Sequence, residues 1–383
     1  MRFFTSLCGV VALCGVMATL MEAKDSKPLD SHRGSKAPSH QTLNGYPAGY
    51  PHSSSSVPSK LKGDNFYKSN ALTLKQVRFK NLFGLSVAGN LFTPKSLKKG
   101  QKLPAIVVGH PMGATKEQSS NLYAQRLAEM GFVTLAIDLS YWGESASDGR
   151  YSPRNAVLPD MYVEDFSAAL DFLRGLDMVD SHRIGALGIC GSGSFALAAG
   201  KIDSRIKAIA TISMYDMGDA NRHGLGGSTS LEARKQAVRE ASAQRDKEFQ
   251  GGGAVLIGGT TTKLEADTNA VQREFYDFYR TSRGAYAPKG MRPDDTTKPA
   301  LSSNVKFLNF YPLEDLDLLS GRALLFISGE EAHSREFSEK AYKQASEPKE
   351  LLLVPNAGHV DLYDRAELIP FDKLGAFFKQ NLK

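Results

Sequence analysis

Short apolar runs alternate with amphipathic stretches along most of this chain, and that rhythm constrains the fold more than any other feature. Runs over 105–108, 133–137, 184–189, 206–212, 323–327 and 351–354 are rich in Val, Ile, Leu and Ala. Their length suits strands buried on both faces. Helical patterns fall near 119–130, 161–174, 193–201, 334–345 and 371–381. The second of these carries Val163, Phe166, Ala169, Leu170 and Leu173, an i, i+3, i+4, i+7 stripe that marks one buried face. Two extended stretches, 73–80 and 85–92, flank the turn 81–84 and read as an antiparallel hairpin. The expected fold class is therefore α/β, a mostly parallel central sheet with helices on both faces.

In such sheets the working residues lie just beyond the carboxyl ends of the strands. After the strand at 184–189 comes Cys190-Gly191-Ser192-Gly193, and after that at 351–354 comes Pro355-Asn356-Ala357-Gly358-His359. Nucleophilic acyl transfer needs an exposed nucleophile, a base, and donors facing the developing oxyanion. A sharp strand-to-helix turn supplies the first, and it requires small residues two before and two after the nucleophile. Gly188 and Ser192 meet that requirement around Cys190. Ser192 as nucleophile is the alternative register, but it moves the turn two residues past the apolar strand. His359 follows the last strand, where a general base belongs in the chain order nucleophile, acid, histidine. His110 and Met112 follow the strand at 105–108, and the Met112 N–H could join that of Gly191 in an oxyanion hole. The rival reading is nucleotide binding. Gly191-Ser192-Gly193 through Ala196 fits G-x-G-x-x-A with Asp216 downstream, although that fingerprint normally opens the first strand of its fold.

The segment from about 215 to 311 breaks the rhythm. It holds a charged helical stretch at 231–249, glycines at 251–253, and the aromatic residues Phe275, Tyr276, Phe278 and Tyr279. It is expected to form a cap over the sheet's carboxyl edge. At the other end, Arg2 precedes the apolar run 3–20, with Ala18 and Ala23 following. This reads as an export signal over 1–23, directing the chain to the periplasm or the medium; an uncleaved membrane anchor is the alternative. Residues 24–65 are rich in Ser, Pro, Gly, His and Lys and are expected to form a flexible tether, with the folded domain spanning 66–383. Of three cysteines, Cys8 and Cys14 lie in the signal, so a processed chain keeps only Cys190. The net charge of +6 comes from 47 basic and 41 acidic residues without a dense basic block. A nucleic-acid footprint is therefore not expected. No HExxH and no Cys/His cluster at ligand spacing occurs, so neither metal nor cofactor is expected.

From about Leu72 to the C-terminus, outside most of the insertion, the chain resembles bacterial α/β-hydrolases of the dienelactone-hydrolase-like and polyketide-transferase-like groups. The stretches that carry the resemblance are LPAIVVGHPMGATKEQ, GFVTLAIDLSYWGES, VEDFSAALDFLRGL, RIGALGICGSGSFAL and PNAGHVDLYD. It implies the α/β-hydrolase fold, chemistry on an ester, lactone or thioester of a small acyl substrate, and the roles of Cys190 and His359. Related hydrolases commonly carry Asp on the loop after the seventh strand. Here that loop reads Ser328-Gly329-Glu330-Glu331-Ala332-His333, with Ala at the usual offset. Glu331 is placed in the acid's role, with Glu330 and Asp216 as alternatives. A cysteine tolerates a weak acid if the thiol is partly ionised and helped by a helix N-terminus, which is the expectation here. A non-catalytic ligand-binding protein on the same fold is the second functional reading.

Overall fold

The structure is a computed structural model that describes residues 62–146 and 154–383. The expected signal and nearly all of the expected tether lie outside the described residues. Asp64 and Asn65, at the tether's end, are bound to the domain. The Asp64 N–H donates to the Asp364 carbonyl, and Asn65 bridges the Glu117 carbonyl and the Ser119 N–H.

Eight strands form one sheet in the order β1-β2-β4-β3-β5-β6-β7-β8. They are β1 (Leu72–Lys80), β2 (Ser86–Pro94), β3 (Leu103–Gly109), β4 (Val133–Ile137), β5 (Val179–Ile189), β6 (Ile206–Ile212), β7 (Ala323–Gly329) and β8 (Lys349–Val354). β2 runs antiparallel to both neighbours, and every pairing from β4 to β8 is parallel. The central parts of the parallel strands are apolar because helices cover both faces, whereas β5 opens with the polar run Asp180–Arg183 and the edge strand β8 with Lys349 and Glu350. Ile106, Val108, Leu187 and Ile189 pack into one cluster with α1 (Ser120–Glu129) and α10 (Phe371–Asn381). Ala105, Val107, Ala186 and Ile184 pack into the other with α2 (Pro159–Arg174) and α3 (Ser192–Ile202). Successive side chains of a strand point to opposite faces, so each run feeds both clusters at once. Each fully buried Val, Leu or Ile contributes about 1.5–3 kcal/mol.

Between β6 and β7 the chain forms α4 (Met217–His223), α5 (Leu231–Phe249), α6 (Ala270–Tyr279) and α7 (Leu301–Asn304), with one isolated bridge, Leu256 to Ala300. α8 (Arg335–Gln344) follows β7, and the four-residue α9 (Asp361–Asp364) follows the loop that carries His359. The carboxyl ends of β3, β5, β6, β7 and β8 stand side by side. Gly109 pairs with Gly188, Ile189 with Ile212, Ile212 with Ile327 and Gly329 with Val354. Residues distant in sequence therefore meet along one edge.

Candidate active site

The β5–α3 turn places Cys190 in the left-handed region, at φ 54°. A non-glycine residue there stores of order 1–3 kcal/mol of strain, which the surroundings must hold. They do so through the backbone: Cys190 N–H donates to the Ile212 carbonyl at 2.9 Å, and the Cys190 carbonyl accepts from Tyr215 N–H at 3.0 Å. The small neighbours are sterically required. A Cβ on Gly188 would stand 2.1 Å from the Ser192 carbonyl oxygen, and one on Gly109 2.7 Å from the Ser192 hydroxyl. Ser192 itself is fully buried and donates to the His110 carbonyl at 2.5 Å. It serves as packing inside the turn, while Cys190 holds the strained apex.

The polar groups that act on the Cys190 thiol are the Tyr363 hydroxyl and the backbone N–H groups of Gly191 and Met112. Burial pushes the thiol up to about 11, against the lowering pull of those three groups. The expectation of a partly ionised thiol is therefore corrected: loss of solvent outweighs the helix N-terminus. His110, beside this loop, is a structural residue. Its Nδ1–H donates to the Pro111 carbonyl at 2.7 Å and its Nε2 accepts from Leu139 N–H at 3.1 Å. Burial lowers it to about 4, so it stays neutral.

His359 is fully buried on the β8–α9 loop, and both of its ring nitrogens are engaged. Nδ1 lies 2.6 Å from the Ser334 hydroxyl and Nε2 lies 2.9 Å from the Tyr363 hydroxyl. Burial, assisted by the nearby His333, holds His359 well below the ordinary histidine value. Tyr215, Phe275 and Tyr363 set their rings 5.2, 5.6 and 5.3 Å from it. His333 lies against it with ring centroids 4.5 Å apart and planes tilted by 30°.

Glu331 does not reach this histidine. It is exposed, and only its backbone N–H turns inward, to the Ala357 carbonyl at 3.0 Å. The β7–α8 loop brings Ser334, three residues further on, to Nδ1 instead. Glu330 is likewise exposed. Asp216 caps α4 through Asp219 N–H at 2.8 Å, and burial raises it to about 6. Asp361 accepts from Gly358 N–H at 2.8 Å and pairs with Arg365, which shapes the histidine loop without touching the ring.

The insertion contributes residues that sequence reasoning did not single out. Glu274 of α6 bonds His333 Nδ1 at 2.9 Å and the Val360 N–H at 2.7 Å. Burial works to raise the Glu274 pKa, but His333, the Val360 N–H and Arg283 outweigh it and hold the carboxylate below its ordinary value. Arg283 pairs with the buried Asp364 at 2.6 Å and donates to the Val360 carbonyl at 2.8 Å. Tyr363 had one available signal, its position four residues after His359, a spacing that puts both on one side of a helical turn. Among the described residues no group of three or more His, Cys, Asp or Glu side chains could hold a metal ion.

A cysteine at a strained strand-to-helix apex and a histidine after the last strand, at the carboxyl edge of a mostly parallel sheet, fit the α/β-hydrolase class. Residues 87–247 match the dienelactone hydrolase family. Over 308 residues the chain is 44% identical to the protein PA2218 of Pseudomonas aeruginosa, covering 80% of this chain and 81% of that one. The crystal structure of PA2218 superposes with a TM-score of 0.77 at 43% identity, over 83% of this chain and 96% of the other. YcjY of Escherichia coli K12 is 31% identical over 78% of this chain and 95% of its own. The acyltransferase drtE of Aspergillus calidoustus is 27% identical over 75% and 88%. The chain belongs to the dienelactone hydrolase family. It is an α/β-hydrolase acting on ester-type bonds.

Proposed function

We propose that the protein is an exported hydrolase or acyltransferase that cleaves an ester, lactone or thioester of a small molecule through an S-acyl intermediate on Cys190. The observation that carries this reading is the sulfur's position, at a strained apex and facing two backbone donors. The sulfur attacks the acyl carbon as its proton passes to His359, and the carbonyl oxygen takes up negative charge beside the Met112 and Gly191 N–H groups. Such preorganised donors are typically worth about 2.7–4 kcal/mol each in the transition state. The tetrahedral species collapses, the leaving group takes the proton back, and the acyl group stays on sulfur. His359 then deprotonates water or an acceptor alcohol, which releases the acyl group. Transfer to an acceptor is supported by the relative named as an acyltransferase.

The insertion serves as a cap in this reading. Its support is the Phe275 ring against His359, the clamp of Glu274 and Arg283 on the histidine loop, and Thr297 facing Gly113 beside the oxyanion loop. Export is supported by the charged start and apolar run of residues 1–23. A panel of p-nitrophenyl esters and acyl-thioesters tests the chemistry. Cys190→Ala and His359→Ala should each abolish turnover, and turnover retained by Cys190→Ala would refute the S-acyl mechanism.

A further inference from the structure

We infer that Glu274 of the insertion is a positioning residue for His359, holding the base in place through the residues around it. This rests on the reading of His359 as the base and adds to its support. The imidazole carries no carboxylate of its own: Nδ1 meets the Ser334 hydroxyl and Nε2 the Tyr363 hydroxyl. A carboxylate nevertheless stands one residue away. Glu274 Oε1 accepts from the Val360 N–H at 2.7 Å, and Oε2 lies 2.9 Å from His333 Nδ1.

Each of those contacts bears on His359. Val360 follows it in the chain, and a Cβ on Gly358, which precedes it, would stand 2.7 Å from Glu274 Oε1. The carboxylate therefore sits against the backbone on both sides of the histidine. The Val360 carbonyl is also taken, by Arg283 Nη2 at 2.8 Å, so both backbone groups of Val360 are held from the insertion. His333 packs its ring on that of His359, with centroids 4.5 Å apart. It also precedes Ser334, the partner of Nδ1. One carboxylate thus fixes the loop that carries the base, the ring packed on it and the residue beside its Nδ1 partner.

What this arrangement demands of residue 274 is reach and two polar ends, whichever partner holds the proton between Oε2 and His333. Glu274→Gln keeps both. Its carbonyl oxygen accepts from the Val360 N–H while its amide donates to His333 Nδ1. The ring proton then moves to His333 Nε2, which has no hydrogen-bond partner among the described residues. Glu274→Asp keeps the charge but is one methylene shorter, so it falls short of holding Val360 and His333 together. Glu274→Leu keeps the bulk and removes both bonds.

A base displaced by about 1 Å costs about 100-fold in rate, which sets the scale. With a p-nitrophenyl ester, at a temperature where circular dichroism shows each variant folded, Glu274→Leu should lower kcat about 10–100-fold with KM within about threefold. Glu274→Gln should stay within about fivefold of wild type, and Glu274→Asp should fall below it. Three results overturn the positioning role. A Leu variant with kcat and KM within about threefold of wild type makes Glu274 dispensable to the base. A loss confined to KM makes it a substrate contact, and an Asp variant as active as the Gln variant makes its charge the cause. Where Glu274→Leu does not fold, the Gln and Asp pair decides. His359→Ala separates the two readings. If it is inert while Glu274→Leu is unimpaired, the base stands and only the positioning role has failed; if it turns over like wild type, the base reading has failed and the positioning role with it.

Discussion

Replacing Ser334 by Ala tests how a histidine works without a carboxylate on Nδ1. Ser334 is fully buried, and its hydroxyl is the partner of Nδ1 at 2.6 Å. Deleting it leaves a buried ring nitrogen unsatisfied, which costs about 1–3 kcal/mol of stability. The bond strengthens when His359 becomes imidazolium, because a charged donor roughly doubles a hydrogen bond. The extra loss in the transition state is thus about 1–2 kcal/mol, which corresponds to about 5–30-fold in rate. An aspartate in this place would be worth far more: its replacement in a serine protease costs about 10⁴. Steady-state kinetics on an ester substrate should therefore show kcat/KM down by about 5–30-fold, with a melting temperature a few degrees lower. Unchanged activity and melting temperature would show that Ser334 does not hold the ring. A loss above about 10³ would show that it does more than a hydroxyl on a neutral histidine can do.

The thiol's upward shift to about 11 predicts the pH course of alkylation. Only the thiolate reacts, so modification of Cys190 by iodoacetamide should keep rising past pH 9 toward about 11; a plateau near pH 8 would contradict the burial argument. Because His359 is lowered, it stays neutral and competent below the ordinary histidine range. The acid limb of kcat/KM should accordingly lie well under pH 6.5, as a pH–rate profile will show. For the proposed export, the intact mass of protein recovered outside the cytoplasm should match a chain beginning near Lys24; a full-length mass would refute cleavage.

The sheet was legible because the central parallel strands are buried on both faces and carry apolar runs, a pattern that polar residues cannot imitate. The turn that carries Cys190 was legible because its crowding restricts residue 188 to glycine and keeps residue 192 small. The acid position was not. Sequence shows that the β7–α8 loop approaches His359, but which side chain faces inward depends on how the loop enters α8, and Ser334 rather than Glu331 takes that place. Glu274 was beyond reach for a different reason. It arrives from α6, 86 positions before Val360, and only tertiary packing brings it to the histidine loop. Asn65 sits in a polar stretch with no apolar period, yet it is 2% exposed because its amide satisfies backbone groups around α1. Composition does not record hydrogen bonds of that kind.

Ser334, Cys190 and His359 fit together once burial is taken as the governing term. A carboxylate on Nδ1 would stabilise an imidazolium, and a thiolate beside it would form a standing ion pair. Here burial acts on both partners toward the neutral form, raising the thiol and lowering the imidazole. At neutral pH the thiolate fraction implied by a pKa of about 11 is about 10⁻⁴. In the proposed mechanism charge therefore separates only as a bound acyl carbon accepts the sulfur's electrons and its oxygen meets the Met112 and Gly191 donors. A thiol kept in this state is also shielded chemically, since oxidation of cysteine follows thiolate character and exposure. Cys190 is 6% exposed and is the free thiol of the described residues. In an oxidising compartment, such as the proposed export would reach, a standing thiolate would be consumed by oxidants, whereas a buried neutral thiol is activated only by its substrate. On this argument the serine in the acid's place suits the cysteine nucleophile proposed above.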